Sequence, residues 1–373
     1  MTRSNHVTII GGGLAGCEAA YQAVRSGCTA TILEMKPVKF SPAHTMETLA
    51  ELVCSNSLKS TSLENASGVL KEEMRLMDSI IIRAAYATKV AAGGTLAVDR
   101  AAFSAYITNE LKDIGVEIVN GEVTELPTDR PLIIASGPLT SVDLSGALQR
   151  LCGRDALNFY DAVAPIIYRG SIDMDIAFMA SRYDKGEADY INCPMNEDEY
   201  NNFYAELTRA DKAEHRSFEG DKYYEKCMPV EELASRGPKT LLFGPMKPVG
   251  LVDPRTGLRP HAVVQLRSEN REGSMYNMVG FQTRLKYPEQ RRIFSMIPGL
   301  GRAEFARYGK MHRNSYINSP ELLKPTGQLK SEPKIFFAGQ ITGVEGYLES
   351  AACGLLAAYF IYQRIHNQTR FSQ

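Results

Sequence analysis

Residues 6–16 read His6-Val-Thr-Ile-Ile-Gly-Gly-Gly-Leu-Ala-Gly16, which joins a short apolar run to a glycine-rich turn. The apolar run predicts a buried parallel strand, and the pattern that continues to Val24 predicts a helix. A second strand pattern, residues 30–33, follows and ends at Glu34. A strand, turn, helix and second strand in this order indicate a doubly wound α/β fold.

The turn satisfies the pattern GxGxxG between a predicted strand and helix, which is the context that gives this pattern meaning. Gly11 permits a tight turn, Gly13 lets the backbone approach a pyrophosphate at the positive helix terminus, and Gly16 allows close packing. Glu34 is placed to accept ribose hydroxyl groups. The sequence therefore predicts a dinucleotide site, with FAD and NAD both compatible. Its residues are Gly11, Gly12, Gly13, Leu14, Ala15, Gly16 and Glu34.

A second glycine cluster follows the predicted strand at residues 334–338 and precedes an apolar helix that extends through Ile365. Its backbone N–H groups are suited to the flavin end of an extended dinucleotide. The alternative is a plain turn and helix start. The candidate cofactor residues in this cluster are Gly339, Gln340, Gly343, Gly346 and Tyr347.

The charge balance limits the partners of the chain. Forty-two basic and 43 acidic residues give 373 residues a net charge of −1, which excludes a general attraction to nucleic acid. RNA contacts must therefore come from local basic loops. The candidates are Lys247, Arg255, Arg259, Arg284 and Lys286.

Cysteine and histidine spacing gives no metal signature. Seven cysteines form no CxxC pair and six histidines no paired-ligand spacing, so we expect no metal and a reducing compartment. The longest apolar run, residues 355–362, is too short for a membrane span. We therefore expect a cytoplasmic protein without a membrane partner.

The change in amino-acid composition along the chain predicts two domains. A polar loop over 36–66, one long helix over 69–88, a helix over 99–114, a hairpin over 116–126 and a strand over 131–135 complete the first unit. Aromatic, proline-punctuated sequence then indicates an inserted α+β domain. The expected domains are 1–149 (first part of the cofactor domain), 150–325 (inserted substrate domain) and 326–373 (return of the cofactor domain).

Two cysteines are candidates for chemistry. Cys54 lies in the polar loop after the cofactor motif, and Cys227 follows Lys226, a cation of the kind that lowers the pKa of a thiol. On local sequence alone, a structural role is the commoner one for each.

Motifs along nearly the whole chain resemble the folate- and FAD-dependent tRNA (uracil-5-)-methyltransferases, the TrmFO or Gid family. The segments that carry the resemblance are Ile9-Ile-Gly-Gly-Gly-Leu-Ala-Gly16, Leu52-Val-Cys-Ser-Asn-Ser-Leu58, Ala97-Val-Asp-Arg100, Lys226-Cys-Met-Pro229, Gly244-Pro-Met-Lys-Pro-Val-Gly-Leu251, Gly280-Phe-Gln-Thr283, Met296-Ile-Pro-Gly-Leu300, Tyr316-Ile-Asn-Ser319 and Phe337-Ala-Gly-Gln-Ile-Thr-Gly-Val-Glu-Gly-Tyr347.

The resemblance implies a Rossmann-like, glutathione-reductase-like FAD domain with an inserted α+β domain. It implies that NADPH or NADH reduces FAD, and that the methylene of 5,10-methylenetetrahydrofolate passes to C5 of a uridine in the TψC loop of tRNA. The two cysteines of the family map onto Cys54 and Cys227. A thiolate that adds to uracil C6 would make C5 nucleophilic, which agrees with this chemistry.

Other functions are compatible with the same sequence. Family members usually continue for some tens of residues beyond the last helix, whereas this chain ends at Gln373. A ribosomal RNA methyltransferase, a flavin oxidoreductase without an RNA substrate, and a non-catalytic FAD-binding RNA partner are the alternatives. The oligomeric state is left open.

Overall fold

The computed structural model describes residues 5–128, 131–153, 157–184, 187–213 and 228–365. Its strands are β1 (His6–Ile10), β2 (Thr29–Glu34), β3 (Ser57–Ser60), β4 (Lys89–Val90), β5 (Thr95–Val98), β6 (Glu117–Asn120), β7 (Leu132–Ile134), β8 (Leu157–Val163), β9 (Ile166–Tyr168), β10 (Phe178–Met179), β11 (Tyr190–Met195), β12 (Ala262–Ser268), β13 (Met275–Met278), β14 (Phe305–Arg307), β15 (Lys310–Tyr316) and β16 (Ile335–Phe337).

Its helices are α1 (Leu14–Arg25), α2 (Ala66–Leu76), α3 (Ile80–Ala87), α4 (Arg100–Asp113), α5 (Val142–Cys152), α6 (Glu197–Arg209), α7 (Val230–Ser235), α8 (Thr240–Phe243), α9 (Tyr287–Phe294), α10 (Ser319–Leu322) and α11 (Tyr347–Ile365). In the described ranges, no helix has the length and apolar character that crossing a bilayer requires.

A five-stranded parallel sheet with the order β16-β7-β1-β2-β6 forms the base of the fold. Val7 and Ile9 of the central strand are fully buried, as expected for a strand covered on both faces. The predicted Rossmann-like α/β class is confirmed. In such a sheet the ligand site lies beyond the carboxyl ends of the strands.

Glycine residues allow helices α1 and α11 to pack closely. A Cβ on Gly354 would lie 2.0 Å from the carbonyl oxygen of Ala15, and a Cβ on Gly16 would lie 1.9 Å from that of Gly11. Side chains at these two positions would force backbone apart. Gly16 therefore serves the helix and sheet packing that the sequence predicted for it.

A second, separate sheet has six antiparallel strands in the order β10-β11-β12-β13-β9-β14. Its own apolar core includes Tyr200 and Phe203 of α6 and Phe294 of α9. Smaller sheets are β3-β5-β4 and the β8-β15 ribbon. The domain boundaries at 149/150 and 325/326 stay a prediction, because strand order alone does not delimit domains.

Two local predictions were wrong. The expected helix over 69–88 is interrupted, because Asp78 adopts a left-handed conformation (φ 54°) and Ser79 caps α3 by accepting from Ile82 N. The expected hairpin over 116–126 is instead the single strand β6, which pairs in parallel with β2. Alternation of apolar residues predicts a strand but not the direction of its pairing.

Candidate cofactor cleft and cysteine site

A cleft of about 1040 Å³, including solvent at its mouth, opens beyond the carboxyl ends of the parallel strands. It brings together most of the predicted cofactor residues, from both ends of the chain. Those that line it are Gly11, Gly12, Gly13, Leu14, Ala15, Glu34, Gly339, Gln340 and Tyr347.

The glycine turn fits a pyrophosphate. Gly11 has a φ of +102°, and a Cβ there would lie 2.5 Å from the carbonyl oxygen of Ala135. Gly13 precedes α1, and a Cβ on it would meet no atom within 4 Å. The first turn of α1 contains no acidic side chain to offset the positive end of the helix dipole. Open space in front of that terminus suits an anionic group.

Glu34 is buried beside this turn, and its carboxylate can accept more hydrogen bonds than the two it makes. Its Oε2 accepts from Gly12 N (2.7 Å) and its Oε1 accepts from Lys36 N (3.0 Å). A carboxylate has about four lone-pair sites, so further acceptor positions are available on the cleft side. This arrangement fits ribose hydroxyl groups.

The cleft also contains charged residues that sequence reasoning missed. Lys36 Nζ lies 3.7 Å from Glu51 Oε2 with both side chains buried, and it donates to Thr48 O at 2.6 Å. Burial, followed by the charge of Lys36, lowers the pKa of His44. These residues lie in the loop over 36–66, where no motif marked them.

The second glycine cluster is only partly at the cleft. Gly339 has a φ of +79°, and a Cβ there would lie 2.8 Å from Ala15 Cβ. Gly343 and Gly346 do not line the cleft. A Cβ on Gly343 would lie 3.2 Å from the Tyr316 ring, and one on Gly346 would lie 2.1 Å from Glu349 Oε2. Positive φ values of +86° at Gly343 and +114° at Gly346 account for glycine at both positions.

Tyr347 joins the candidate cysteine loop to the cleft. Its Oη accepts from Cys54 N (2.8 Å) and from Ser55 N (3.3 Å). Burial raises the pKa of Tyr347, so the hydroxyl stays protonated and neutral. Cys54 is half-buried, and its neighbour Val53 lines the cleft. The first residue of α11 thus fixes the backbone of Cys54 at one end of the cleft.

Three guanidinium groups lie near Cys54. Arg100 Nε donates to Glu269 Oε2 (2.6 Å), whereas Arg267 donates to two neutral acceptors, Asn56 Oδ1 and Ser55 Oγ, both at 2.9 Å. In Arg307, the buried Nε and Nη2 have no hydrogen-bond partner among the described residues.

Burial, followed by the charge of Arg100, lowers the pKa of Arg307 to about 10. Cys54 lies near enough to Arg100, Arg267 and Arg307 to influence the pKa of each guanidinium group. Among the described residues, the carboxylate of Glu269 pairs with Arg100, and neither of the other two guanidinium groups forms such a pair. The arrangement therefore favours an anion near Cys54.

The other cysteine predictions have different outcomes. Cys227 lies outside the described residues, so its role stays a prediction. Cys193, expected to be structural, is fully buried, and burial raises its pKa to about 12. Among the residues that the structure describes, no group of three or more His, Cys, Asp or Glu side chains is placed to hold a metal.

Most of the candidate RNA-contacting cations are paired. Arg255 Nη2 lies 2.7 Å from Asp253, Arg284 Nη2 lies 2.6 Å from Glu232, and Lys286 Nζ lies 3.5 Å from Asp211. Arg259 is exposed and Lys247 is half-buried. Their charges are therefore less available to phosphates than the sequence alone implied.

The parallel sheet, the glycine turn at its carboxyl edge and the buried Glu34 define a dinucleotide-binding α/β protein. The family model described as "Glucose inhibited division protein A" (GIDA) matches residues 6–369. A protein of Heliobacterium modesticaldum named methylenetetrahydrofolate–tRNA-(uracil-5-)-methyltransferase TrmFO is 62% identical over 94% of this chain and 80% of its own length. A protein of the same name from Geotalea uraniireducens is 61% identical over 94% and 81%.

Among solved structures, GidA of Aquifex aeolicus has a TM-score of 0.73 at 16% identity, which shows the shared fold. The match covers 97% of this chain and 64% of that longer chain. The chain belongs to the GIDA family and, within it, to the TrmFO proteins, so the resemblance in the sequence motifs is confirmed.

Proposed function

We propose that this protein uses FAD and 5,10-methylenetetrahydrofolate to methylate C5 of a uridine in tRNA, with NADPH or NADH as reductant. The observation that carries the proposal is the identity of about 60% over nearly the whole chain with proteins named for this reaction. The contact between Cys54 and Tyr347 at the cleft supports it, because it places a candidate nucleophile beside the cofactor site.

The residues of the cleft fit an FAD. Gly13 and the N-terminus of α1 would hold the pyrophosphate, Glu34 would accept from a ribose, and the turn at Gly339 would face the flavin end. When bound and reduced by NADPH or NADH, FAD would supply the two electrons that convert the folate methylene into a methyl group. The turn of β1 into α1 provides the one complete GxGxxG of the chain, so the nicotinamide cofactor is proposed to bind transiently.

The chain itself supplies the activation of uracil. A cysteine Sγ adds to C6, and the electrons of the C5–C6 double bond move toward O4 as an enolate. C5 bonds to the one-carbon unit and then gives its proton to a base, while the bond between that carbon and its nitrogen carrier breaks. Two electrons and a proton complete the methyl group, and the thiolate leaves C6. Cys54 and Cys227 are the two candidates for the nucleophile and the proton-transferring group, with their order left to experiment.

The guanidinium groups near Cys54 would favour the charged species of this sequence. Both the attacking thiolate and the enolate oxygen are anions. Arg267 and Arg307 carry no carboxylate partner among the described residues. A buried and preorganised positive environment stabilises developing negative charge more strongly than water does.

The decisive experiment supplies the purified protein with FAD, NADPH and labelled methylenetetrahydrofolate, and offers unmodified tRNA and ribosomal RNA side by side. We expect label in tRNA as 5-methyluridine. Label found only in ribosomal RNA would show that ribosomal RNA, and not tRNA, is the substrate. Oxidation of NADPH without label in either RNA would favour a flavin oxidoreductase.

Cysteine variants test the mechanism. Cys54→Ala and Cys227→Ala should each retain bound flavin and lose methyl transfer, because the thiols act on uracil rather than on cofactor binding. Cys193→Ala is the matched control, since that thiol is buried in the second sheet. Full methylation by both single variants would refute the assignment of the two cysteines.

A further inference from the structure

Three aromatic rings, from β14, the residue after it and α9, form a continuous stack. The Phe305 and Tyr308 rings lie 4.9 Å apart between centroids at 18°, and the Tyr308 and Tyr287 rings lie 5.0 Å apart at 23°. The stack begins against buried Phe294 and ends at Tyr287, which is 46% exposed. The terminal ring therefore has surface that no ring of the described structure covers.

The stack is held rigidly. Buried Gln290 donates to Leu285 O (2.7 Å) and to Gly309 O (2.9 Å), and it accepts from Gly309 N (2.8 Å). These bonds fix the residue after Tyr308 against α9, where Tyr287 is the first residue. A preorganised ring loses little conformational freedom when a partner binds.

The stretch of sequence that carries the stack is basic in a chain that is nearly neutral overall. Residues 284–313 contain eight Lys or Arg against two Asp or Glu, a net charge of +6, whereas the chain carries −1. Arg284, Lys286 and Arg292 form ion pairs. Within the described residues, the exposed Arg291 has no such pair, and it lies one turn from Tyr287 on the same helix face.

The stack is also close to the cysteine site. Arg307 lies next to Tyr308 in the chain, and its guanidinium group is near enough to Cys54 and Tyr347 for both to influence its pKa. Arg307 therefore links the strand that carries Phe305 to the surroundings of Cys54.

We propose that the stack of Phe305, Tyr308 and Tyr287 is a docking platform for an unpaired base of the RNA substrate. The base stacks on the open surface of Tyr287, and its phosphate contacts Arg291. RNA is the partner whose chemistry combines flat aromatic rings with negative charge, and proteins bind unstacked bases on aromatic side chains in this way. The inference rests on the proposed RNA substrate.

The test measures the affinity of the FAD-loaded protein for unmodified tRNA at several salt concentrations. Tyr287→Ala should weaken binding roughly tenfold, the size of one lost stacking contact, without a change in the slope of log affinity against log salt. Tyr287→Phe should bind like wild type. Arg291→Gln should reduce the slope by roughly 0.7 to 0.9, because one phosphate contact is lost.

The matched control is Tyr86→Ala, which removes a tyrosine of similar exposure (49%) on α3. It should leave both affinity and slope unchanged. Wild-type affinity in Tyr287→Ala, in a protein whose wild type methylates tRNA, would overturn the platform and leave the proposed function intact. A change in sedimentation of Tyr287→Ala with unaltered RNA affinity would identify a protein contact instead. Failure of the wild type to methylate any RNA would remove the proposed function itself.

Discussion

Gly13 is the residue whose replacement tests the pyrophosphate position most directly. A Cβ there meets no protein atom within 4 Å, so Gly13→Val should fold. Its side chain would nevertheless fill the space before α1, and we expect loss of bound flavin. The flavin absorbance per mole of purified protein measures this. Gly94→Val is the control, because Gly94 is equally open and lies outside the cleft. Stoichiometric flavin in Gly13→Val would place the cofactor elsewhere.

Tyr347 tests how the cysteine loop is held. Tyr347→Phe removes the oxygen that accepts from Cys54 N and Ser55 N, and an unpaired backbone donor costs about 1–3 kcal/mol when buried. We expect unchanged flavin content and a fall of roughly tenfold in methyl transfer as the Cys54 loop loosens. Tyr359→Phe on the same helix α11 is the control. Equal rates in the two variants would argue that the hydroxyl contact has no role in positioning Cys54.

At the scale of elements, Ser79 has two partners where α2 gives way to α3. Its hydroxyl donates to Glu18 Oε2 (2.5 Å) and accepts from Ile82 N (3.3 Å). Burial raises the pKa of Glu18, and loss of a donor leaves that buried carboxyl group less satisfied. Ser79 therefore caps the start of α3 and also links α3 to α1 through Glu18.

A comparison of two helix caps measures what the hydrogen bond between Ser79 and Glu18 contributes to stability. Ser141→Ala, which removes the cap of α5 and a hydrogen bond to the partly exposed carboxylate of Glu122, should cost about 1 kcal/mol in the free energy of unfolding. Ser79→Ala should cost about 2 kcal/mol or more, because Glu18 also loses its donor. Urea denaturation of both variants provides the values. Equal losses would mean that the bond to Glu18 contributes no net stability.

The elements also show how far the sequence alone could predict the site. The turn from Gly11 to Gly16 and the acid Glu34 were predictable, because they belong to one local unit with fixed spacing. The neighbours of Cys54 were not, since Arg100, Arg267 and Arg307 come from α4, β12 and β14. No sequence spacing relates residues that meet only when two sheets pack. The break at Asp78 was missed for a simpler reason, because neither glycine nor proline marks it.

At the scale of the whole molecule, contacts between distant parts of the chain join α2 to α11. Lys59 forms an ion pair with Glu349 of α11, and the nearby Lys71 of α2 donates to Ser60 O (2.7 Å) and Ser67 O (3.0 Å). Burial, followed by the charge of Lys59, lowers the pKa of Lys71 to about 8. A charged lysine at this position therefore opposes folding.

The global stability should depend on pH through Lys71. Between about pH 8 and its ordinary value of 10.5, the folded protein has lost this proton while the unfolded chain retains it. Because the unfolded state then binds more protons, the free energy of unfolding rises with pH. Relative to Lys71→Met, which cannot titrate, the wild type should become steadily more stable from pH 8 to 10. Urea denaturation of both proteins measures the difference, with Lys112→Met as the control for loss of an exposed lysine. Parallel curves for wild type and Lys71→Met would contradict the lowered pKa.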